Sequence, residues 1–183
     1  PAPEPLVIFG DGAVGAYRVF IASPERWEGT EVVGQFASHT AITASTADGL
    51  RVTWTGAGEA QVYLQTVNAT RDLSSYVDSD GALVFDVLAH EPAIGTTSVA
   101  AHCDYPCGAQ LNATTVFAGL PVGRSTKVTI PLSCFTAKNL DKTKVDTPFL
   151  IFARGPFDVT FRNIAWVPRA ANSPDATPCT NLP

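Results

Sequence analysis

Hydrophobic and polar residues alternate one by one along several stretches of the chain. In residues 82–88, Leu83, Phe85 and Val87 fall on one side of an extended backbone, and residues 127–132 repeat the same spacing. Period-two alternation is typical of a β-strand that buries one face and exposes the other. We therefore predict that these two strands form the middle of a β-sandwich.

Further short strands are predicted along most of the chain. They fall at residues 6–9, 17–21, 50–55, 60–65, 97–101, 148–153 and 157–167. No segment shows a sustained helical period, and only residues 72–76 suggest a single helical turn, capped by Asp72. Many short strands with regular turns predict an all-β domain, a β-sandwich or jelly roll.

One pair of these strands has the pattern of a hairpin. Residues 50–55 and 60–65 flank Gly56-Ala57-Gly58-Glu59. Alternating runs joined by a short glycine-containing turn are typical of two paired strands. We expect Trp54 to face the core beside Val52, and Trp166 of the last strand to be buried as well.

The polar sides of the predicted strands supply candidate binding residues. Five of them project away from the inferred core: Arg51, Gln61, Tyr63, Gln65 and Asp86. An aromatic ring offers a platform to a sugar ring, while Arg, Asp and Gln can bond to pairs of hydroxyl groups. Trp27, in a loop predicted for residues 23–29, is a further platform or a lid over a sheet edge. The alternative is an ordinary solvated sheet face.

Composition narrows the class of protein. The chain has 183 residues, 45% of them hydrophobic and 16% charged, which fits one globular domain. We divide it into a linker remnant (1–5), a sandwich domain (6–168) and a surface tail (169–183). The net charge of −5 argues against nucleic acid, and no apolar run approaches the roughly 20 residues that span a bilayer. The start at Pro1 and the lack of methionine suggest a mature or excised fragment.

Four cysteines leave three alternatives: free thiols, metal ligands or two disulfides. Cys103 and Cys107 are spaced to pin a short loop, which would leave Cys134 to hold the tail through Cys179. The histidines are scattered, so disulfides are favoured over a metal site. In the chain-entropy model the short and long bridges contribute about 2 and about 4 kcal/mol. Two bridges indicate an oxidising compartment, so we expect a secreted or periplasmic protein.

Motifs for catalysis are scarce. No serine lies in a G-x-S-x-G turn, and the G-x-G-x-x-G at residues 10–15 is followed by no helical pattern. No motif requires a cofactor. Asp11 and Asp158 are loop-edge carboxylates of the kind that calcium uses, so a structural calcium ion is a candidate. The alternative is one turn aspartate and one surface aspartate.

Several stretches together carry a family resemblance. They are Val7–Gly10, Cys103-Asp104-Tyr105-Pro106-Cys107, Val128–Phe135 with its I-P-L-x-C-F motif, Asp146–Phe149 and Phe161–Ile164. In order and spacing the sequence resembles the galactose-binding-like C-terminal domain of bacterial family 3 exo-β-glucanases of the 1,4-β-D-glucan glucohydrolase type. The resemblance implies a jelly-roll sandwich similar to carbohydrate-binding modules, with the catalytic acids in other domains. It supplies no settled binding residues.

Three hypotheses of function follow. The first is a non-catalytic module that binds β-glucans, such as cello-oligosaccharides, mixed-linkage glucan or xyloglucan, beside a catalytic glycoside hydrolase domain. Tyr63 and Trp27 would then stack on sugar rings, while Arg51, Gln65 and Asp86 bind hydroxyls. The second is a structural accessory domain that packs on a family 3 catalytic domain without binding sugar. The third, an enzyme in its own right, needs two close acids or a metal.

Overall fold

The computed structural model describes residues 1–183 and contains thirteen strands. In chain order they are β1 (Leu6–Phe9), β2 (Tyr17–Ser23), β3 (Arg26–Glu31), β4 (Phe36–Ser38), β5 (Ile42–Ser45), β6 (Leu50–Trp54), β7 (Ala60–Thr66), β8 (Ala82–Glu91), β9 (Thr97–His102), β10 (Gly108–Asn112), β11 (Thr126–Pro131), β12 (Thr147–Ala153) and β13 (Phe157–Val167). All their pairings are antiparallel. The predicted all-β architecture is confirmed.

The strands form two sheets. The first sheet has the order β11-β8-β13-β6-β5-β4, and β1 pairs with the second half of β13. The second sheet has the order β10-β9-β12-β7-β2-β3. The two stretches whose alternation was most regular, β8 and β11, are neighbours in the first sheet, with Phe85 opposite Val128. The prediction that both lie in the middle of the sandwich is wrong for β11, which is the edge strand of this sheet.

The core lies between the sheets and is rich in aromatic side chains. Phe85 packs edge-to-face on Phe149, with ring centroids 5.4 Å apart, and on Phe161 at 5.7 Å. Trp54 and Trp166 are buried as predicted, and their indole N–H groups donate to the carbonyls of Ala60 and Pro148. Each of these two indoles therefore buries its apolar surface without leaving its N–H unpaired.

The predicted hairpin between β6 and β7 is wrong. Strand β6 pairs with β5 and β13 in the first sheet, whereas β7 pairs with β2 and β12 in the second. Gly56 and Gly58 have positive φ and carry the chain from one sheet to the other. Both strands bury one face against the same core, so each shows the same alternation that two strands of a hairpin would show. The sequence pattern cannot tell a turn within a sheet from a turn between sheets.

The loop predicted for residues 23–29 is also wrong. The chain turns tightly after Ser23, which is paired with Arg26, and residues 26–31 form the edge strand β3. Trp27 therefore projects from a strand and not from a loop. Its side chain is 45% exposed, in agreement with the prediction that it lies at the surface.

The helices are short. Helices α1 (Ser74–Asp78), α2 (Thr114–Ala118) and α3 (Leu132–Thr136) have five residues each, and 3₁₀ turns occur at Ala170–Asn172 and Cys179–Asn181. Helix α1 starts two residues after the helical turn predicted for residues 72–76. Asp72 precedes it and accepts a hydrogen bond from the Ser74 amide at 3.0 Å. None of the helices has the length and apolarity needed to cross a membrane.

Two disulfides join the cysteines in the predicted pairs, Cys103–Cys107 and Cys134–Cys179. The second bridge ties the tail to α3 beside the edge of the first sheet. There the Thr177 amide donates to the Thr129 carbonyl at 2.9 Å, and Leu182 is buried. The tail is thus packed against the sandwich by both a covalent bond and main-chain hydrogen bonding.

Candidate functional site

A groove of about 630 Å³ lies on the outer face of the second sheet. Five of the sheet's strands and the disulfide loop after β9 contribute to it. Its lining residues are Trp27, Glu28, Gln61, Tyr63, Gln65, His102, Tyr105, Gln110, Leu150 and Phe152. Because β3 and β10 are the two edges of the sheet, the groove extends across the strands from one edge towards the other.

The floor of the groove comes from the two central strands. Strand β7 presents Gln61, Tyr63 and Gln65, whose side chains share one face because alternate residues of a strand point the same way. Strand β12 adds Leu150, opposite Tyr63, and Phe152, opposite Gln61. A floor of two amides, one phenol and two apolar side chains offers both hydrogen bonds and apolar contact.

Tyr63 is packed into this floor. Its side chain is only 6% exposed, and its ring stacks on Phe20 of β2 with centroids 5.4 Å apart. Gly29 has φ of 95°, and a β-carbon at that position would collide with the Tyr63 hydroxyl. Tyr63 therefore supports the groove from below and exposes little of its ring face.

Two aromatic rings that are more exposed than Tyr63 form the walls of the groove. Trp27 projects from the edge strand β3, and Tyr105, at the tip of the disulfide loop, is 75% exposed. The Tyr105 ring lies beside the His102 ring, with centroids 5.3 Å apart. The His102 ring in turn lies over Gly108, where a β-carbon would be 2.8 Å from its Cδ2 atom. The two walls thus carry the ring faces that the floor lacks.

A chain of hydrogen bonds fixes one end of the floor. The Gln65 amide donates from Nε2 to the Thr147 hydroxyl at 2.7 Å, and that hydroxyl donates to Asp146 Oδ1 at 3.1 Å. Asp146 Oδ1 also accepts the backbone N–H of Asp104 at 3.2 Å. These hydrogen bonds use only the Nε2 atom of Gln65. Its Oε1 atom has no protein donor, so this oxygen can accept a hydrogen bond from a ligand.

Burial favours the neutral forms of the His102 and Tyr63 rings. Burial lowers the pKa of His102 and outweighs the nearby charge of Asp146, which acts in the opposite direction. Burial raises the pKa of Tyr63, and the Asp146 charge adds to that increase. Glu28 at the rim lies 3.6 Å from the Arg26 guanidinium. Uncharged groups therefore dominate the surface that a ligand would meet.

Four of the six predicted binding residues come together here, namely Trp27, Gln61, Tyr63 and Gln65. The prediction that Arg51 shares their face is wrong, because β6 belongs to the first sheet. Arg51 lies on that sheet's outer face and forms a two-pronged ion pair with Asp158, at 2.9 and 3.1 Å.

Asp86 is likewise on the first sheet and not in the groove. It accepts a hydrogen bond from the Asn163 side chain at 2.8 Å and lies 3.3 Å from the Lys127 ammonium group. Alternation along a strand indicates which side chains point outwards, but it does not indicate which of the two sheets the strand joins. That ambiguity placed Arg51 and Asp86 with the wrong neighbours.

The two candidate calcium ligands do not form a shared site. Both carboxylate oxygens of Asp158 accept hydrogen bonds from Arg51, while Asp11 lies in the turn after β1 and lines a separate cavity with Glu31. No group of three or more His, Cys, Asp or Glu side chains is arranged to hold a metal ion. Asp11 and Asp158 therefore do not fit a calcium centre, and calcium binding elsewhere stays an untested expectation.

Comparison with known families identifies the fold. The model of the Exop_C family, described as galactose-binding domain-like, matches residues 17–166. The chain belongs to this family. The match confirms the resemblance inferred from the sequence motifs. None of the curated proteins matches the sequence.

Solved structures of three proteins illustrate the Exop_C domain fold. The exo-1,3/1,4-β-glucanase ExoP from a Pseudoalteromonas species matches with a TM-score of 0.73 and 13% identity over 97% of this chain, which spans 22% of that protein. The extra C-terminal domain of ExoP, solved alone, matches with a TM-score of 0.69 and 14% identity, covering 94% of this chain and 96% of that one.

The other two are carbohydrate-binding modules from Clostridium thermocellum. A family 30 module of a cellulosomal cellulase has a TM-score of 0.64 at 20% identity, covering 91% of this chain and 99% of the module. A family 11 module, in complex with a β-1,3-1,4-mixed-linked tetrasaccharide, has a TM-score of 0.54 at 11% identity, covering 92% and 98%.

Six groove residues of this Exop_C domain escaped sequence reasoning. They are Glu28, His102, Tyr105, Gln110, Leu150 and Phe152. Strand β12 is apolar at nearly every position, so no face of it could be identified as outward. Tyr105 had one usable signal, since an aromatic residue at the tip of a cysteine-closed loop is held near the surface. His102 and Gln110 join the site only because β9 and β10 pair at the sheet edge.

Proposed function

We propose that this domain is a non-catalytic carbohydrate-binding module that recognises β-glucans beside a glycoside hydrolase domain. The observation that carries the proposal is the groove across the second sheet, with its two exposed wall rings and its floor of uncharged amides. Such a surface suits a neutral sugar chain, whose rings have apolar faces and whose hydroxyls need both donors and acceptors.

Each part of the groove has a role in this proposal. Trp27 and Tyr105 stack on sugar rings, and Phe152 adds apolar contact from the floor. Gln61 and Gln65 bond to hydroxyl groups, with the free Oε1 of Gln65 as an acceptor. Tyr63 supports the floor, and its edge contacts the ligand. Each hydrogen bond contributes only about 1 kcal/mol net, so we expect modest affinity.

The preference for β-glucan is supported by the related proteins. ExoP is an exo-1,3/1,4-β-glucanase that carries a domain of this fold at its C-terminus, and the family 11 module was solved with a mixed-linkage β-glucan fragment. Sequence identities of 11 to 14% show the fold alone. That this chain also binds β-glucan is therefore our proposal. The two disulfides support an oxidising location, secreted or periplasmic.

Affinity gel electrophoresis tests the proposal directly. The purified domain is run through gels that contain barley β-glucan, xyloglucan, laminarin, xylan or galactomannan, each with and without chelator. We expect retardation by β-glucans, little by galactomannan, and no change with chelator. A domain that migrates identically in every gel would overturn the proposal, and loss of retardation on chelation would restore calcium to consideration.

Tryptophan fluorescence locates the binding surface. Trp27 is exposed, whereas Trp54 and Trp166 are buried, so a soluble quencher such as acrylamide acts mainly on Trp27. Saturating β-glucan should reduce this quenching if the ligand covers the groove. The Trp27→Phe variant is the control, because its remaining tryptophan signal should not respond to the ligand.

A structural accessory role is the second candidate. Val33 and Phe36 form an isolated bridge between β3 and β4, and both are exposed, Phe36 by 58%. An apolar pair of this kind could pack on a neighbouring catalytic domain. This hypothesis predicts no retardation by any polysaccharide, together with binding of a hydrophobic dye that falls in the Phe36→Ser variant. Retardation by β-glucan with weak dye binding would argue against it.

A further inference from the structure

The Tyr105 wall is a hairpin loop held at its base by two independent attachments. Residues 103–107 connect β9 to β10, whose last pair is His102 with Gly108. The Cys103–Cys107 bridge closes the loop covalently. The Cys103 amide also donates to the Cys107 carbonyl at 2.9 Å. Cys103 is fully buried, so this end of the bridge is anchored in the core.

The second attachment runs through Asp146, which precedes β12. Its Oδ1 atom accepts the Asp104 amide at 3.2 Å and the Thr147 hydroxyl at 3.1 Å, and Thr147 accepts Gln65 Nε2 at 2.7 Å. One carboxylate therefore connects the wall loop to the floor residue Gln65. The Asp104 backbone has φ of 71°, the left-handed conformation that aspartate adopts more readily than most residues other than glycine.

We propose that the Cys103–Cys107 bridge and Asp146 are positioning groups of the groove. They hold Tyr105 at a fixed place relative to Gln65, so that the loss of either lowers glucan affinity without unfolding the sandwich. The ligand part of this inference rests on the proposed function. A loop that is already ordered costs less to immobilise on binding, which is why a remote attachment can change affinity.

The chain contains a matched control for the bridge. Cys134–Cys179 closes a separation of 45 residues rather than 4 and ties the tail to α3, and neither of its cysteines lines the groove. Removing Cys134–Cys179 should lower the melting temperature by more than removing Cys103–Cys107. The reason is that opening a longer loop increases the conformational entropy of the unfolded chain by more. Removal of Cys134–Cys179 should nevertheless leave affinity unchanged. If both bridges had a purely structural role, removing either would leave the affinity of the folded domain unchanged.

Binding is measured by calorimetry with a soluble mixed-linkage glucan at a temperature where every variant is folded. We expect the Cys103→Ser/Cys107→Ser variant to bind about three- to tenfold more weakly, the loss typical of one aromatic contact. Tyr105→Ala and Asp146→Ala should behave alike. Asp146→Asn should stay within about twofold of the unaltered chain, since it keeps the oxygen that accepts both hydrogen bonds. Wild-type affinity in the first variant, or an equal loss in Cys134→Ser/Cys179→Ser, overturns the inference.

A ligand-free measurement separates this inference from the proposed function. Nuclear Overhauser contacts between the Tyr105 and His102 rings should be present in the unaltered chain. They should weaken in the Cys103→Ser/Cys107→Ser and Asp146→Ala variants but not in Cys134→Ser/Cys179→Ser. Contacts that survive in the first two variants refute the positioning role whether or not glucan binds. Failure of the unaltered chain to bind any glucan, with these contacts behaving as expected, refutes the proposed function alone.

Discussion

The outer face of the first sheet and the outer face of the second are built from the same alternation but present different chemistry. On the outer face of the first sheet, which we call the charged face, polar side chains are already paired. Arg51 with Asp158 and Lys127 with Asp86 are paired across strands, and Arg162 of β13 is paired with Asp48 in the turn before β6. On the second sheet, the groove holds amides and rings, and it is bounded by a disulfide loop on one side and by Trp27 on the other.

The difference lies in which groups already have partners. A charge that is paired within the protein has little to gain from a neutral ligand, because the ligand must replace an existing hydrogen bond. An amide with a free carbonyl oxygen, such as Gln65, and an exposed ring, such as Tyr105, gain contacts when a ligand arrives. Polarity alone therefore does not mark a binding face, and unsatisfied capacity for contact is the better criterion.

Removing the wall rings should have the largest effect on binding. For the Trp27→Ala/Tyr105→Ala variant we expect β-glucan affinity to fall by about 2 to 3 kcal/mol, roughly thirty- to 150-fold, because two stacking contacts and their apolar area are lost. Calorimetry with mixed-linkage glucan gives the value. Phe36→Ala, which removes an aromatic residue 58% exposed outside the groove, is the matched control and should bind normally.

Gly29 offers a test of the groove floor. An alanine there would collide with the Tyr63 hydroxyl and would also adopt a positive φ, whereas Gly34, at φ of 64°, has nothing within 4 Å of its added β-carbon. Gly34→Ala should cost about 1 kcal/mol of unfolding free energy from backbone strain alone. Gly29→Ala should cost about 1 to 2 kcal/mol more and weaken glucan binding. Equal costs in urea denaturation would mean that Tyr63 moves aside freely.

Most strands could be predicted from sequence because one buried face imposes period-two alternation on each of them. Strand β13 was predicted with the bounds that it has in the structure, Phe157–Val167, and the core positions of Val52, Trp54 and Trp166 followed from the same pattern. The two disulfide pairs followed from cysteine spacing. These are properties that a stretch of chain expresses locally.

Assignment of strands to sheets is not local. Strands β6 and β7 are adjacent in sequence and both alternate, yet they lie in opposite sheets. The choice depends on the whole sandwich, so Arg51 could not be separated from Gln61 in advance. The outward face of β12 could not be predicted for a different reason. Leu150 and Phe152, which line the groove, are as apolar as the inward-facing residues beside them. The groove could therefore be predicted only in part, through Trp27 and β7.

Single substitutions on the two faces should separate them further. Gln65→Ala removes a floor amide and should weaken binding by about 1 kcal/mol, roughly fivefold. Arg51→Ala and Asp86→Ala should leave affinity within about twofold and reduce stability by at most about 1 kcal/mol, since their ion pairs are partly exposed. A tenfold loss of affinity in Arg51→Ala would show that the charged face also contacts glucan.

Titration should give the smallest but most discriminating contrast. Burial of Asp158 tends to raise the pKa of its carboxyl, but the hydrogen bonds and charge of Arg51, with help from His90 and Thr53, hold that pKa below its usual range. His102 in the groove has a lowered pKa because of burial, which the Asp146 charge opposes. Nuclear magnetic resonance titration should therefore show the pKa of Asp158 shifting upwards in Arg51→Ala and that of His102 shifting further down in Asp146→Asn.

The consequence for stability has the same sign on both faces. A group whose pKa is lower in the folded chain binds fewer protons there than in the unfolded chain, so its contribution is present at higher pH and is lost on acidification. For His102 the loss begins as the pH falls below about 6.5, and for Asp158 as it falls below about 4. The two groups thus change stability in separate pH ranges. Only Arg51→Ala should reduce the pH dependence of the unfolding free energy in the more acidic range. An acid profile unchanged by Arg51→Ala would show that the pair does not persist in solution.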